Sequence, residues 1–296
     1  HFHDVRNCTD EEIVHLSRSL EIDIAFDLKG CTQGCRPRIF ALRAAPVQIN
    51  YLGYPGSMGV GYMDYLIADK AIIPQELVKF YKEKIILLPE SYQCNTFMST
   101  DDLILSNKLS EGVPQDKFIF CSFNNNYKIT PTIFNVWMEI LLACPDSALW
   151  LLEDNKIAAE NLKKSAEKAG ISSNRLIFAK RVPLIEHLSR HKLAHLFLDT
   201  FPCSAHTTAS DALRMGLPIL SYAGKSFASR VCTSLIRSVD STYTTPRNLE
   251  EYVQMACNHY NKFKFQNYTK NKFNPSNIFD TDRYTHEFLN NISEIY

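Results

Sequence analysis

The second half of the chain alternates short apolar runs with amphipathic stretches of helical period, and this alternation restricts the fold more than any other feature. Strand-like runs occupy residues 118–123, 148–152, 175–178, 196–199 and 218–220. Helical patterns separate them. The first follows Thr130-Pro131, where threonine can cap and proline can open the first turn. Its Phe134, Trp137, Ile140 and Leu141 fall on one face. Others cover residues 157–169, stopped by Gly170, residues 184–189, and residues 210–215, stopped by Gly216. Strands that return through a helix each time pair parallel, so the pattern predicts a doubly wound α/β sheet with helices on both faces.

The first half follows a looser version of the same rule. Residues 22–28, 47–52, 63–68 and 84–88 read as strands, and residues 13–20, 39–43 and 76–80 as helices, the first capped by Thr9 or Asp10. Periodicity fades over residues 90–116, which are expected to form a linker with a domain boundary between 95 and 115. Further helices are expected over residues 226–238 and 248–260. The tail from Lys262 is rich in lysine, asparagine and aromatics, with Phe288 and Leu289 in a late helix, and is expected to pack back across the body. The resulting division is 1–105, 106–260 and 261–296.

Composition narrows the function. The 296 residues carry 32 Lys plus Arg against 32 Asp plus Glu, a balance that gives no support to a general nucleic-acid or anionic-membrane surface. No run approaches eighteen apolar residues, so no membrane span is expected. Nine widely spaced cysteines do not resemble a disulfide framework and fit a reducing compartment.

Three places could carry chemistry. Lys128 lies just past a buried strand, in a loop opened by Asn124, Asn125 and Asn126. Ligands of open parallel sheets bind beyond the C-terminal strand ends, and a lysine there suits phosphate. The alternative is an ordinary surface lysine. Next, the run Leu198-Asp199 ends a strand, passes through Cys203-Ser204-Ala205-His206, and starts a helix near Thr207 and Thr208. Unpaired N–H groups and two hydroxyls at a helix start make a seat for phosphate, and Asp211, one turn on, could accept ribose hydroxyls. Both threonines could equally be caps and Asp211 a favourable first-turn charge. Third, the loop Leu52-Gly53-Tyr54-Pro55-Gly56 has too much glycine and proline for regular structure, so a ligand could approach its backbone. His187, His191 and His195 recur every four residues, but no glutamate lies between the last two, which rules out a zinc-protease reading. Cys31 and Cys35 lack a second pair and receive no role.

Together these segments resemble the protein O-GlcNAc transferase family. The resemblance runs in order through Ala45-Pro46-Val47-Gln48, the Leu52–Gly56 loop, Met63-Asp64-Tyr65, Ser122-Phe123-Asn124 with Tyr127-Lys128-Ile129, Leu198-Asp199-Thr200 with His206-Thr207-Thr208 and Asp211, and Ala228-Ser229-Arg230-Val231. It implies a GT-B architecture of two Rossmann-like lobes facing each other, the first acceptor-side and incomplete in this chain, the second donor-binding. It implies inverting, metal-independent transfer of N-acetylglucosamine from UDP-GlcNAc to a serine or threonine of a protein or peptide. No cofactor is implied. Upstream tetratricopeptide repeats outside this chain, and a cytoplasmic and nuclear location, are implied likewise. By position, Lys128 would hold the diphosphate and the leaving group, Thr207 and Thr208 the same diphosphate, His206 the uridine, Asp211 the ribose, and His187 the uracil. Asn125 would stand in the donor site, and Leu52 to Gly56 in the sugar and acceptor loop.

Two departures bear on the donor. Asn125 replaces a glutamine, and Leu184 a lysine near the base. Asn125, Phe201 and Pro202 are shared with SPINDLY-type O-fucosyltransferases, which use GDP-fucose. Those relatives lack the His-Thr-Thr and Asp pattern, so the donor assignment leans to UDP-GlcNAc. A non-catalytic nucleotide-sugar-binding module is the third reading.

Overall fold

A computed structural model describes residues 1–96, 107–265 and 276–295. The chain divides into one unit of residues 1–94 with 282–296 and another of residues 95–281. The boundary placed at 105/106 from sequence, and part of the expected linker and tail, lie outside the described residues.

The first unit begins with helix α1 (Asp10–Ser19), closed at its start by a reciprocal cap. The Thr9 hydroxyl accepts from the Glu12 N–H, and the Glu12 carboxylate accepts from the Thr9 N–H. Then follow β1 (Ile24–Asp27), α2 (Pro37–Ala41), β2 (Val47–Asn50), β3 (Tyr65–Asp69) and β4 (Lys84–Leu88). The four strands are all parallel, in the order β1-β2-β3-β4. The expected helix at residues 76–80 is a 3-10 helix, Gln75–Phe80.

The second unit holds β5 (Phe118–Ser122), α3 (Pro131–Ala143), β6 (Ser147–Leu152), α4 (Lys156–Lys168), β7 (Leu176–Ala179), α5 (Leu184–Arg190), β8 (Leu196–Leu198), α6 (Thr207–Arg214), β9 (Ile219–Leu220), α7 (Val231–Val239), α8 (Leu249–Phe265) and α9 (Ser276–Phe279). Its parallel sheet has the order β7-β6-β5-β8-β9. The chain leaves β5 toward one edge and leaves β8 toward the other. The order therefore reverses between these neighbours, and the loops after them part at the C-terminal strand ends. Alternation fills both faces. Phe118 and Phe120 join the core of α3 and α8 built around Trp137, Ile140 and Tyr252, while Ile119 and Cys121 are buried on the other side.

The stretch expected as one helix over residues 226–238 breaks in two. A 3-10 turn, Phe227–Ser229, precedes α7. The Ser229 hydroxyl donates to the Ser226 carbonyl at 2.7 Å, the kind of local bond that competes with helix formation.

The last helix, α10 (Thr281–Ser293), belongs almost wholly to the first unit. Tyr284, Phe288 and Ile292 recur every four residues and cover one face of the first sheet, packing on Ile49, Ile67 and Ile86. Phe288 meets the rings of Phe26 at 5.8 Å and Tyr51 at 5.4 Å. The two units are thus both parallel Rossmann-like sheets of the GT-B type.

Candidate active site

The parting loops of the second unit gather most of the sequence-derived candidates. After β5 the chain buries Phe123 and Asn124 and makes a 3-10 turn, Asn126–Lys128, before Thr130 caps α3. After β8 it runs through Asp199 to His206. Cross-links hold these two loops together. The Thr130 hydroxyl donates to the Phe201 carbonyl at 3.0 Å, and the Lys128 ammonium donates to the Ser204 carbonyl at 2.8 Å. Ser204 is itself fixed, since its N–H and hydroxyl both donate to Ala228 O, and its oxygen accepts the Cys232 N–H.

Beneath the loops lies a buried polar frame centred on Asp199, which the sequence marks only as a strand end within a motif. Asp199 Oδ1 accepts the N–H groups of Thr200 and Ala205, each at 2.7 Å, and Oδ2 accepts the Ser221 hydroxyl at 2.6 Å. Burial pushes this carboxyl up, opposed by those hydrogen bonds. The Asn124 amide donates to Thr200 Oγ1 at 2.9 Å and accepts the Thr208 hydroxyl at 2.5 Å. The two threonines at the helix start are therefore not equivalent. Thr208 spends its proton inward on Asn124, while Thr207 is exposed.

Helix α6 starts without a side-chain cap, because His206 precedes it with no such bond. Its first N–H groups are thus orphaned near the Lys128 ammonium. His206 Nε2 lies 3.3 Å from Ala228 O. Burial, reinforced by the Lys128 charge, lowers His206 to about 4, so the ring is neutral at pH 7. Lys128 consequently supplies the positive charge beside the helix start. Asp211 lies one turn along α6 from Thr207, half-buried, with its carboxyl pushed up to about 6 by burial against the opposing pull of Arg214.

Asn125 and His187 lie further along the same end of the sheet. The Asn125 amide donates to the Tyr127 hydroxyl at 3.3 Å and accepts from Arg181 at 3.2 Å, while Arg181 pairs with Asp154 at 2.5 Å. Loops after β5, β6 and β7 are thereby tied in a row. Arg181 and Asp154 carry no motif, so only the tertiary contact reveals them. His187 stacks edge-on to Phe123 at 5.3 Å and to His191 at 4.8 Å, and burial lowers it to about 4. His191 and His195 are buried packing residues: His191 bonds to the His187 carbonyl, and His195 Nδ1 accepts the Ile119 N–H.

The loop Leu52–Gly56 belongs to the first unit, after β2. Leu52 adopts a left-handed φ of 66°. A Cβ on Gly53 would stand 1.9 Å from the Leu28 carbonyl oxygen, so glycine is required by close backbone approach. The Asn50 amide donates to Gly56 O at 3.0 Å, and the buried Glu83 carboxylate accepts the Ser57 hydroxyl and the Met58 N–H, both at 2.6 Å. A cleft of about 650 Å³ in this unit is lined by Arg18, Asp23, Arg43 and Pro46, at the opposite ends of β1 and β2 from that loop. Parallel sheets bind ligands where strands end, so the loop, not this cleft, is the candidate.

Among the described residues no cluster of three or more His, Cys, Asp or Glu could hold a metal ion, and no helix is long and apolar enough to cross a membrane.

Comparison with known proteins agrees with this architecture. The sequence model of glycosyl transferase family 41 matches residues 11–100 and 94–288. A probable UDP-N-acetylglucosamine–peptide N-acetylglucosaminyltransferase of Arabidopsis thaliana, SEC, is 35% identical over 277 residues, covering 91% of this chain and 28% of its own length. A second probable UDP-N-acetylglucosamine–peptide N-acetylglucosaminyltransferase of the same plant, SPINDLY, is 31% identical over 262 residues, covering 86% of this chain and 28% of its own length. This chain therefore spans less than a third of those relatives. A mutant O-GlcNAc transferase of Thermobaculum terrenum matches with a TM-score of 0.78 at 27% identity, covering 99% of this chain and 58% of that one. A Rickettsia africae glycosyltransferase shares the fold, with a TM-score of 0.56 at 12% identity, covering 98% of this chain and 79% of its own. Matched along nearly its whole length, and built from the two parallel sheets described above, the chain belongs to glycosyl transferase family 41.

Proposed function

We propose that this chain is the catalytic region of an inverting, metal-independent transferase that moves N-acetylglucosamine from UDP-GlcNAc to serine or threonine hydroxyls of proteins. The first unit is assigned to the acceptor and the second to the donor. One observation carries the reading: the Lys128 ammonium is held 2.8 Å from the Ser204 carbonyl, beside the uncapped start of α6, at the point where strand order reverses. The plant relatives, both probable UDP-N-acetylglucosamine–peptide N-acetylglucosaminyltransferases, and the Thermobaculum O-GlcNAc transferase support this donor and this class of acceptor.

Breaking the bond between sugar and diphosphate leaves negative charge on the departing pyrophosphate. Lys128 and the orphan N–H groups of α6 are placed to receive it, and such groups act most strongly where charge develops. The exposed Thr207 hydroxyl can donate without rearrangement, whereas Thr208 must first release Asn124. A neutral His206 can bond to the nucleoside without competing with Lys128 for the diphosphate. Asp211 accepts ribose hydroxyls, and His187 with Asn125 borders the base. Leu52 to Gly56 offers backbone to the sugar and the acceptor peptide. Upstream tetratricopeptide repeats that present protein substrates, and a cytoplasmic and nuclear location, complete the proposal.

Removing the Lys128 ammonium, as in Lys128→Ala, is expected to lower kcat by about 10²–10³-fold, the cost of deleting one preorganised donor. Donor binding, followed by UDP titration, should weaken far less. Unchanged turnover would end the assignment. A SPINDLY-like O-fucosyltransferase is the rival reading, favoured by Asn125, Phe201 and Pro202. Parallel assays of the full-length protein with UDP-GlcNAc and GDP-fucose separate the two. Binding of UDP without transfer from either donor would instead leave a non-catalytic module.

A further inference from the structure

Far from the candidate site, the second unit brings two cysteines together. Cys144 closes α3 and is fully buried, and Cys257 lies on α8 with part of its surface exposed. Their sulfurs are 3.8 Å apart across 113 residues of sequence. That is sulfur-to-sulfur contact, within about 2 Å of covalent distance. We propose that Cys144 and Cys257 form a reversible disulfide, a modification site that clamps α8 onto α3 when the protein meets a peroxide.

The surroundings favour this chemistry over inert packing. The main chain around Cys144 is held still, since its carbonyl accepts from Arg175 at 2.7 Å and from the Ser147 hydroxyl at 2.6 Å. The helices are already packed together, Trp137, Ile140 and Leu141 of α3 against Tyr252, Ala256 and Tyr260 of α8. Little ordering is left for the bond to impose. The contact also polarises the pair. The hydrogen bond between the thiols lowers Cys257 and raises Cys144, so the accessible sulfur is the one favoured as thiolate.

The order of events follows. The Cys257 thiolate attacks one peroxide oxygen, the O–O bond breaks, and hydroxide leaves and takes up the proton that Cys257 released on ionising, giving a sulfenic acid and water. Cys144, in contact with that sulfur, attacks it. The second oxygen departs as hydroxide, which takes up the Cys144 proton. Two thiols and one peroxide become one disulfide and two waters, with the two sulfurs oxidised and the peroxide reduced. Intramolecular capture outruns further oxidation because the second sulfur is already in place.

The test treats the folded native protein with hydrogen peroxide, removes the peroxide, and then alkylates in denaturant so that buried thiols also react. The expected result is a cross-linked peptide pair containing residues 144 and 257, loss of two of the nine alkylatable cysteines, and full reversal by dithiothreitol. The melting midpoint should rise by about 5–15 °C on oxidation. In Cys144→Ser the Cys257 sulfenic acid has no partner, and dimedone should trap it. Oxidation of Cys257 in the native protein without linkage to Cys144, or linkage that forms only in urea, would overturn the proposal. Peptide mapping of the unaltered chain decides the matter even if the variant fails to fold, and neither outcome depends on the transferase reading.

Discussion

Asp211 offers a direct test of how the second unit is built, because the burial that raises its carboxyl makes the ionised form a burden in the ligand-free protein. Its carboxyl is shifted from 3.8 to about 6. A raised carboxyl means that the folded state holds its proton more tightly than the unfolded chain. The associated stability is complete below about pH 3.8 and is lost as the pH climbs through about 6. The shift of about two units corresponds to at most about 3 kcal/mol, and partial exposure of the side chain reduces this to roughly 1–3 kcal/mol. Asp211→Asn removes the titration. It should therefore stabilise the ligand-free protein at pH 7.5 by about 1–3 kcal/mol, a rise in melting midpoint of about 3–10 °C. Near pH 4.5 only about a third of that gain should survive, since the wild-type carboxyl is then mostly protonated. Thermal denaturation of both proteins at the two pH values gives the comparison. The difference between them isolates Asp211, because the histidines titrate alike in each. A gain of equal size at both pH values, or no gain at pH 7.5, would refute the reasoning. Under the proposed function the same variant should bind UDP more weakly, which is the exchange of stability for binding that functional sites show.

Two further outcomes follow from the geometry. Gly53→Ala puts a methyl group 1.9 Å from the Leu28 carbonyl oxygen, so the loops after β1 and β2 must move apart; urea denaturation should show a loss of several kcal/mol or failure to fold. Acidification should weaken the second unit through His187 and His206, lowered to about 4, and His191, lowered to about 3. That stability is present above about pH 6.5 and is lost as the pH falls through about 4, on the order of 1–2 kcal/mol per histidine by pH 5, so a melting midpoint unchanged between pH 7 and pH 5 would contradict it.

The βα alternation of the second unit was legible because each unit is local: an apolar run, a short link, a helix with one apolar face. Lys128 and Thr207 could be picked out for the same reason, as residues just beyond strand ends. The partners that give those residues their character were not legible. Nothing in Asn124-Asn125-Asn126 says that the first amide turns inward to Thr208, 84 residues on, while the second faces Arg181 on the rim. Asp199 ends an apolar run as many strand-end acids do, and only its four-way burial among Thr200, Ala205, Ser221 and Asn124 makes it a frame. Phe288 and Leu289 both marked a late helix. Which of them packs depends on the sheet they meet: Phe288 covers Phe26 and Tyr51, while Leu289 stays 58% exposed.

Two unfavourable terms of the second unit lie along one short helix, and their order implies the shape of what relieves them. Orphan N–H groups and a single ammonium at the start of α6 call for an anion. A carboxyl pushed up by burial, one turn later, calls for hydroxyl donors that would favour its ionised form. Four residues of helix rise about 6 Å. A free phosphate fills the first position and leaves Asp211 unrelieved, and a nucleoside does the reverse. A ligand carrying a polyanion at one end and a vicinal diol about 6 Å away answers both at once, which is the covalent geometry of a nucleoside diphosphate. Neutral His206, which immediately precedes the helix, adds no second cation, so under the proposed function Lys128 is left to meet the anionic end.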